Sequence, residues 1–295
     1  MLSICIPIYN FEVSNLVHCL HRQATQTGLP FEILLMDDAS EEYFTNRNEA
    51  ICLPFLRFIR LPENIGRSRI RNRLAQEAQY PYLIFMDCDS AVPSENYISN
   101  YISYCQPNIV CYGGRIYEEQ KPDPQKYLRW KYGRARESQP VAERLKNPNH
   151  GFETNNFLID RSLFEKIRFD ESLDGYGHED TLFGLQLLAA GIPIQHIDNP
   201  LIHIGLEDAE TFLRKTESGI RNLKKINDLL LQQDPVYIDH SRLVRTKAAL
   251  DQLKLSALTA IIFSLFKPLI RKNLLGKYPS LFLFDLYKLG NFCGL

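Results

Sequence analysis

Among the seven cysteines of this 295-residue chain there is no C-x-x-C pair and no Cys/His spacing of the kind that holds zinc. That excludes a disulfide scaffold and a zinc module. The scattered, odd-numbered set reads as reduced thiols, so a reducing, cytoplasmic compartment is expected. There is no stretch of 18 apolar residues, and no transmembrane helix is predicted. The apolar run after Met1 lacks a charged n-region and an h-region, so a signal peptide is not expected. Lys/Arg runs are missing and the formal net charge is −1, which argues against a nucleic-acid partner. Internal repeats and low-complexity tracts are also absent, which excludes a solenoid.

What is present is globular. Hydrophobic residues make up 45% and charged residues 23%, enough for a large core in one domain, or in one domain plus an extension. The neutral balance hides an asymmetry. From Ser241 onward nine Lys/Arg stand against Asp251 and Asp285, a net of +7, so the first 240 residues carry −8.

The first half alternates strand and helix. Residues 2–8, 31–36 and 82–86 are short, mostly apolar runs that read as strands, the second and last of them buried, and 56–61 reads as a further strand. Helical spacing covers 14–26, with Ser14 as N-cap, and 67–78, while 41–50 reads as a weaker helix. Four such alternations predict a doubly wound, largely parallel sheet. Its ligands are expected outside the carboxyl ends of the strands, where Tyr9, Asp37, Asp38, Asp87 and Asp89 would share one rim. In an extended chain Asp87 and Asp89 point the same way. Together they could meet one divalent cation, Mg²⁺ or Mn²⁺, and the phosphates it carries.

Beyond Asp89 the pattern loosens. Helices are expected over 94–104 and 161–166, and short strands over 109–114 and 152–159. The polar stretch 121–149 reads as a mobile excursion with a central helix, in the manner of a lid. A Gly-rich loop at 174–177 precedes a helix over 178–189, then a strand over 194–197. Three more helices are expected, over 208–232, 243–265 and 278–289. The whole divides into a domain over 1–205 and a helical extension over 206–295.

The segments PIYN, DDAS, NIGRSRIRN, the Asp-x-Asp strand and GYGHEDTLFGLQLLAAG occur in that order. Together they resemble the inverting family 2 glycosyltransferases of GT-A fold, over about residues 2–205. The later segment, with Gly175-Tyr176-Gly177-His178-Glu179-Asp180, is similar to the acceptor end of galactosyl- and N-acetylgalactosaminyltransferases. The resemblance implies an α/β GT-A fold and transfer of a sugar from a nucleotide-diphosphate donor, UDP in the usual case. The acceptor would be a hydroxyl of a saccharide or lipid-linked saccharide, in surface polysaccharide synthesis.

The resemblance also implies roles. Asp89 would bind Mn²⁺ or Mg²⁺, with His203 completing the metal site. Asp87 would hold the ribose or the metal's shell. Asp38 would meet the base, Pro7, Tyr9 and Asn10 would surround it, and Asn64 and Arg71 would border the pyrophosphate. Asp180 would be the general base, kept ionised by the helix N-terminus. Glu179 would grip acceptor hydroxyls, and Asn155 and Asn156 would touch donor sugar or acceptor. Arg67, Arg69 and Arg73 read as a solvated helix face. His18, His21, His150, His178, His196 and His240 read as structural.

Three alternatives stand beside these expectations. Asp38 would serve equally as a cap for the next helix. A degenerate transferase kept as a sugar-nucleotide-binding module would retain the fold. A haloacid-dehalogenase-type phosphatase also ends a strand in Asp-x-Asp, but on the first strand, and here the motif ends the fourth. Finally, 256–275 is apolar with Lys267, Arg271 and Lys272 near its end. The stretch 256–290 could therefore lie on an anionic membrane surface, making the protein peripheral on the inner face, or pack on the domain.

Overall fold

A computed structural model describes residues 1–173, 175–231 and 241–295. Asp174 of the Gly-rich loop, the end of the helix expected over 208–232, and His240 lie outside the described residues.

The four expected strands form β1 (Leu2–Ile8), β2 (Phe31–Asp37), β3 (Leu56–Arg60) and β4 (Tyr82–Met86), all mutually parallel. Between them run α1 (Ser14–Gln26), α2 (Glu42–Glu49) and α3 (Arg67–Glu77). The connection through a helix is what parallel neighbours require. Leu16, Val17, Leu20 and Ala24 of α1 are buried against one face of the sheet, and Ile70, Leu74 and Ala75 of α3 against the other. Sheet residues divide the same way. Ile4, Ile6 and Ile8 join the first core and Cys5 the second, as side chains alternating along a strand must.

After β4 come β5 (Ser90–Ala91), α4 (Tyr97–Ile102), β6 (Val110–Tyr112), β7 (Arg115–Ile116), α5 (Tyr127–Tyr132), α6 (Val141–Arg144), β8 (Asn156–Asp160) and α7 (Arg161–Lys166). Then follow α8 (Glu179–Ala189), β9 (Gln195–His196) and β10 (Leu201–His203). The main sheet has the order β3-β2-β1-β4-β8-β6-β9, with β8 antiparallel to β4 and to β6. A second sheet, β5-β10-β7, is too short in every strand for alternation to reveal it, and sequence reading missed it. It matters because β7 and β10 carry Arg115 and His203.

The chain forms two compact units. The first holds 1–118, 137–173 and 179–205, and the second holds 119–136, 175–178 and the described residues from 206. The second contains α9 (Ala209–Leu231), α10 (Arg242–Gln252), α11 (Ser256–Leu274) and α12 (Leu281–Cys293). Here two expectations fail. The stretch expected as a mobile lid supplies α5, whose Leu128 is buried with Phe212, Leu213, Phe284 and Tyr287 in the core of this unit. The single helix expected over 243–265 is two, broken at 253–255 where Lys254 adopts a left-handed φ of 58°. No glycine or proline marks that break in the sequence.

Candidate active site

The carboxyl ends of β1, β2 and β4 form one rim of the first unit, and all the sequence-derived site residues belong to this unit. The two acidic residues ending β2 divide their work. Asp37 is fully buried and accepts from the hydroxyl of Ser40 and, at 2.6 Å, from that of Thr45. Asp38 accepts from the amides of Ile65 at 2.7 Å and Gly66 at 3.1 Å, just ahead of α3. Burial raises the Asp38 carboxyl, and these two amides oppose the rise. Asp38 therefore ties down the loop entering α3 and is not the cap of α2. Asn64 joins it, donating to the Asp38 carbonyl at 3.2 Å.

At the end of β1, Pro7 pairs with Met36 of β2 and lies past the residues that pair with β4. Asn10 has φ 49° and accepts from the Glu41 amide at 2.8 Å. The Tyr9 ring between them is 54% exposed, a flat apolar face left open beside Asp38's loop.

Past Met86 the extended chain ends, and Asp87 and Asp89 part company. Their nearest partners differ, although Arg67 and Arg115 act on both. Asp87 receives the guanidinium of Arg71 at 2.6 Å, with Arg115 at 3.5 Å and Arg67 at 3.8 Å. Arg71 is only 2% exposed and its second nitrogen donates to the Arg67 carbonyl. Arg115 also faces Glu137 at 3.2 Å and Glu153 at 3.5 Å. Three guanidiniums converge on this strand end, each also answered by carboxylates, and guanidiniums are the side chains that suit the phosphates of an anionic ligand.

Asp89 turns instead to His203, with Oδ1 3.5 Å from Nδ1. Burial pushes the Asp89 carboxyl up, but His203, Arg115 and Arg67 outweigh it and hold it at about 2. Asp89 Oδ1 and His203 Nε2 are buried without any hydrogen-bond partner. Orphaned polar atoms of this kind call for an explanation, and an ion is one. A carboxylate oxygen and an imidazole nitrogen fit Mn²⁺ or Mg²⁺, although hard cations prefer more oxygens than two side chains supply. Among the described residues no three His, Cys, Asp or Glu side chains gather for a metal. Ligand phosphates and water would complete the shell. Gly205 backs this pair: a Cβ there would lie 2.5 Å from Asp89 Oδ2.

The first turn of α8 brings Glu179 and Asp180. Glu179 is buried and its carboxylate accepts from the Arg67 side chain. Arg67 therefore links α8 to Asp87, and the reading of Arg67 as solvated is wrong; Arg69 and Arg73 do lie exposed against Glu171 and Glu77. The i,i+4 spacing of Arg67 and Arg71 was the available signal. Burial raises Glu179, and Arg67 and Arg71 reverse this, bringing it to about 2. With Oε1 on Arg67, Glu179 is placed as an ion-pair partner.

Asp180 goes the other way, to about 6, through burial and then the adjacent Glu179 charge. The amide of Thr181 donates to it at 2.7 Å and opposes the rise. The expected helix-terminus field is therefore outweighed, although a group at about 6 is still mostly ionised at neutral pH.

The two asparagines beside β4 differ in how fully they are bonded. Asn156 is fully buried, accepts from Tyr97 and Tyr101, and donates to the carbonyls of Gly114 and Asn199. All four of its hydrogen-bonding positions are filled, leaving none for a sugar. Asn155 accepts the Asp87 amide at 3.1 Å through its backbone and the Tyr112 hydroxyl at 3.4 Å through its side chain. Arg115 was not foreseen, since its partners come from three distant segments.

Three comparisons bear on this geometry. The family described as glycosyl transferase family 2 matches residues 3–168. No curated protein matches the chain. Among solved structures, a mannosyltransferase from Pyrobaculum calidifontis, in complex with GDP-Man and Mn²⁺, is 16% identical with a TM-score of 0.54. That alignment covers 98% of this chain and 86% of the other. GalNAc-T7 with UDP, GalNAc and Mn²⁺ is 18% identical at a TM-score of 0.47, over 70% of this chain and 43% of its own. Residues 1–349 of S. aureus TarS are 17% identical at 0.45, over 75% of this chain and 64% of theirs. The mixed sheet, its mostly parallel core and the helical C-terminal region are those of the GT-A fold, and with the family matching over more than half its length, this chain belongs to glycosyl transferase family 2.

Proposed function

We propose that the protein transfers a hexosyl or N-acetylhexosaminyl group, with inversion, from a nucleotide-diphosphate donor to a hydroxyl of a saccharide or lipid-linked saccharide. The observation that carries this reading is the Arg67 bridge. It ties the Glu179–Asp180 turn to Asp87, so a carboxyl at about 6 stands on the same rim as the arginine cluster and the Asp89–His203 pair. A family 2 member with that rim has the parts for a single displacement.

In this reading Arg71, Arg115 and Arg67 bind the diphosphate, and Asp38's loop and the open Tyr9 face take the base, uracil in our assignment. Asp89 and His203 would hold Mn²⁺ or Mg²⁺, and the cation would neutralise charge on the departing diphosphate. Asp180 removes the proton from the acceptor hydroxyl as it attacks the anomeric carbon, and a base titrating near working pH suits that task. Glu179 fixes Arg67 and sets Asp180's proton affinity. Attack from the face opposite the diphosphate gives a β-linkage from an α-linked donor. We place the enzyme in the cytoplasm, in surface polysaccharide synthesis; its free cysteines suit a reducing compartment. A non-catalytic binding module is the second reading, and the raised Asp180 carboxyl counts against it, since binding alone needs no tuned base.

The test is product stereochemistry. With an α-linked nucleotide sugar, NMR of the product should show a β-anomer. Asp180→Asn should lower turnover by about a hundredfold or more while donor binding persists. An α-product, or an undiminished Asp180→Asn enzyme, would contradict the assignment.

A further inference from the structure

The second unit carries an apolar surface that the transfer chemistry does not use. On α11, Leu258, Ile261, Ile262, Leu265, Phe266 and Leu269 follow the spacing of one helix face, and that face points outward. Leu265 is 72% exposed and Leu269 64%. A soluble helix normally turns such a stripe inward. Here the polar residues turn inward instead: Lys267 pairs with Glu217, and Arg271 with Glu210. From Leu255 to Phe266 no charged residue occurs at all.

The neighbouring helix continues the surface. Phe282 of α12 is 70% exposed and Leu286 is exposed beside it. Between the helices lies a groove of about 410 Å³ lined by Phe263, Phe266, Leu283, Leu286 and Leu289 among others. Its floor is the close crossing at Gly290, where a Cβ would come within 2.6 Å of the Phe263 Cβ. The volume is in the range of pockets that take small ligands, about 300–1,000 Å³.

Charge decides what covers this face. Lys254 precedes α11, Lys272 lies in its last turn and Lys277 follows it; all three are exposed and have no partner among the described residues. They bracket the stripe with positive charge in a segment whose net charge is +7. A second copy docked through the same patch would oppose these lysines to their own images. Anionic headgroups would instead meet them while the stripe enters the acyl boundary. Among the described residues no single helix is long and apolar enough to cross a membrane. The element fits one that lies in the interface.

We propose that the outward face of α11, with Phe282 and Leu286 of α12, is an interfacial binding surface for an anionic lipid bilayer, its groove receiving an acyl chain. The proposal gives physical form to the membrane side of the functional reading, but its evidence is separate from the transfer site. Cofloatation of the full chain with phosphatidylcholine vesicles, with and without phosphatidylglycerol at about one part in three, tests it. Binding should require the anionic lipid and weaken as salt rises. Ile261→Gln with Leu265→Gln should reduce it about tenfold or more, and Lys272→Gln with Lys277→Gln should reduce it several-fold. All four positions are exposed, so the unfolding midpoints should stay unchanged. Folded protein that ignores anionic vesicles would overturn the proposal. So would a stable dimer in light scattering that the Ile261/Leu265 variant dissolves, since a second copy would then own the face. Nucleotide binding, measured on the same samples, reports the transfer site independently.

Discussion

Replacing Glu179 by Gln should lower the proton affinity of Asp180. Asp180 stands at about 6 against an ordinary 3.8, with burial as the larger cause and the Glu179 charge as the second. The Thr181 amide, Arg67 and Arg115 oppose both, so removing the Glu179 charge lowers the group while burial still holds it up, each pH unit of the fall being worth about 1.4 kcal/mol. Burial remains in the variant, so the carboxyl should fall clearly below about 6 with burial still opposing the fall. Arg67, released from its ion pair, pulls in the same direction, since its charge already lowers Asp180. The assay is a carbon-13 NMR titration of the side-chain carboxyls, with the Asp180 signal assigned by its loss in Asp180→Asn. The linked stability has a definite sign. A carboxyl raised on folding costs stability as pH rises between about 4 and about 6. Glu179, lowered to about 2, contributes stability above its unfolded value of 4.5 and loses it as pH falls toward 2. If Asp180 in Glu179→Gln still titrates near 6 or higher, the coupling at the first turn of α8 is refuted. The acid limb of the pH–rate profile should move with the NMR midpoint.

Two further substitutions probe the rim. Arg71→Met removes a nearly buried guanidinium from Asp87 but leaves Arg67 and Arg115 facing it, so the cost in chemical denaturation should be about 2–4 kcal/mol, below the full penalty of an orphaned buried charge. Gly205→Ala sets a methyl 2.5 Å from Asp89 Oδ2. It should weaken Mn²⁺-dependent nucleotide binding about tenfold in calorimetry and, because the methyl also meets Asp89 Cβ at 2.4 Å, cost about 1–3 kcal/mol of metal-free stability.

The parallel half of the fold was legible because each strand is a short apolar run closed by polar residues, as in ILLMDD and LIFMDCD. The order of those runs placed Asp38, Asp87 and Asp89 on one rim before any coordinates. The second sheet was not legible, since strands of two or three residues carry no period. Arg115 was illegible for a related reason, its carboxylate partners being brought from 87, 137 and 153 by the sheet itself. Arg67 was legible in its spacing from Arg71 and was passed over. Asn156 was misread because a buried, fully bonded amide and a ligand-facing one have the same letter. The direction of Asp180's shift also needed coordinates, because only packing shows that burial and Glu179 overcome the helix terminus. In α11 the apolar spacing was visible, but only the fold shows that the stripe faces outward.

The most direct test of the account is thermal unfolding with UDP and GDP, each with and without Mn²⁺, on the wild type and on Asp89→Ala. The account predicts that one nucleotide raises the wild-type midpoint, that Mn²⁺ enlarges the rise, and that Asp89→Ala loses the metal-dependent part while remaining folded. A folded wild type whose midpoint moves with neither nucleotide, with or without metal, would contradict it.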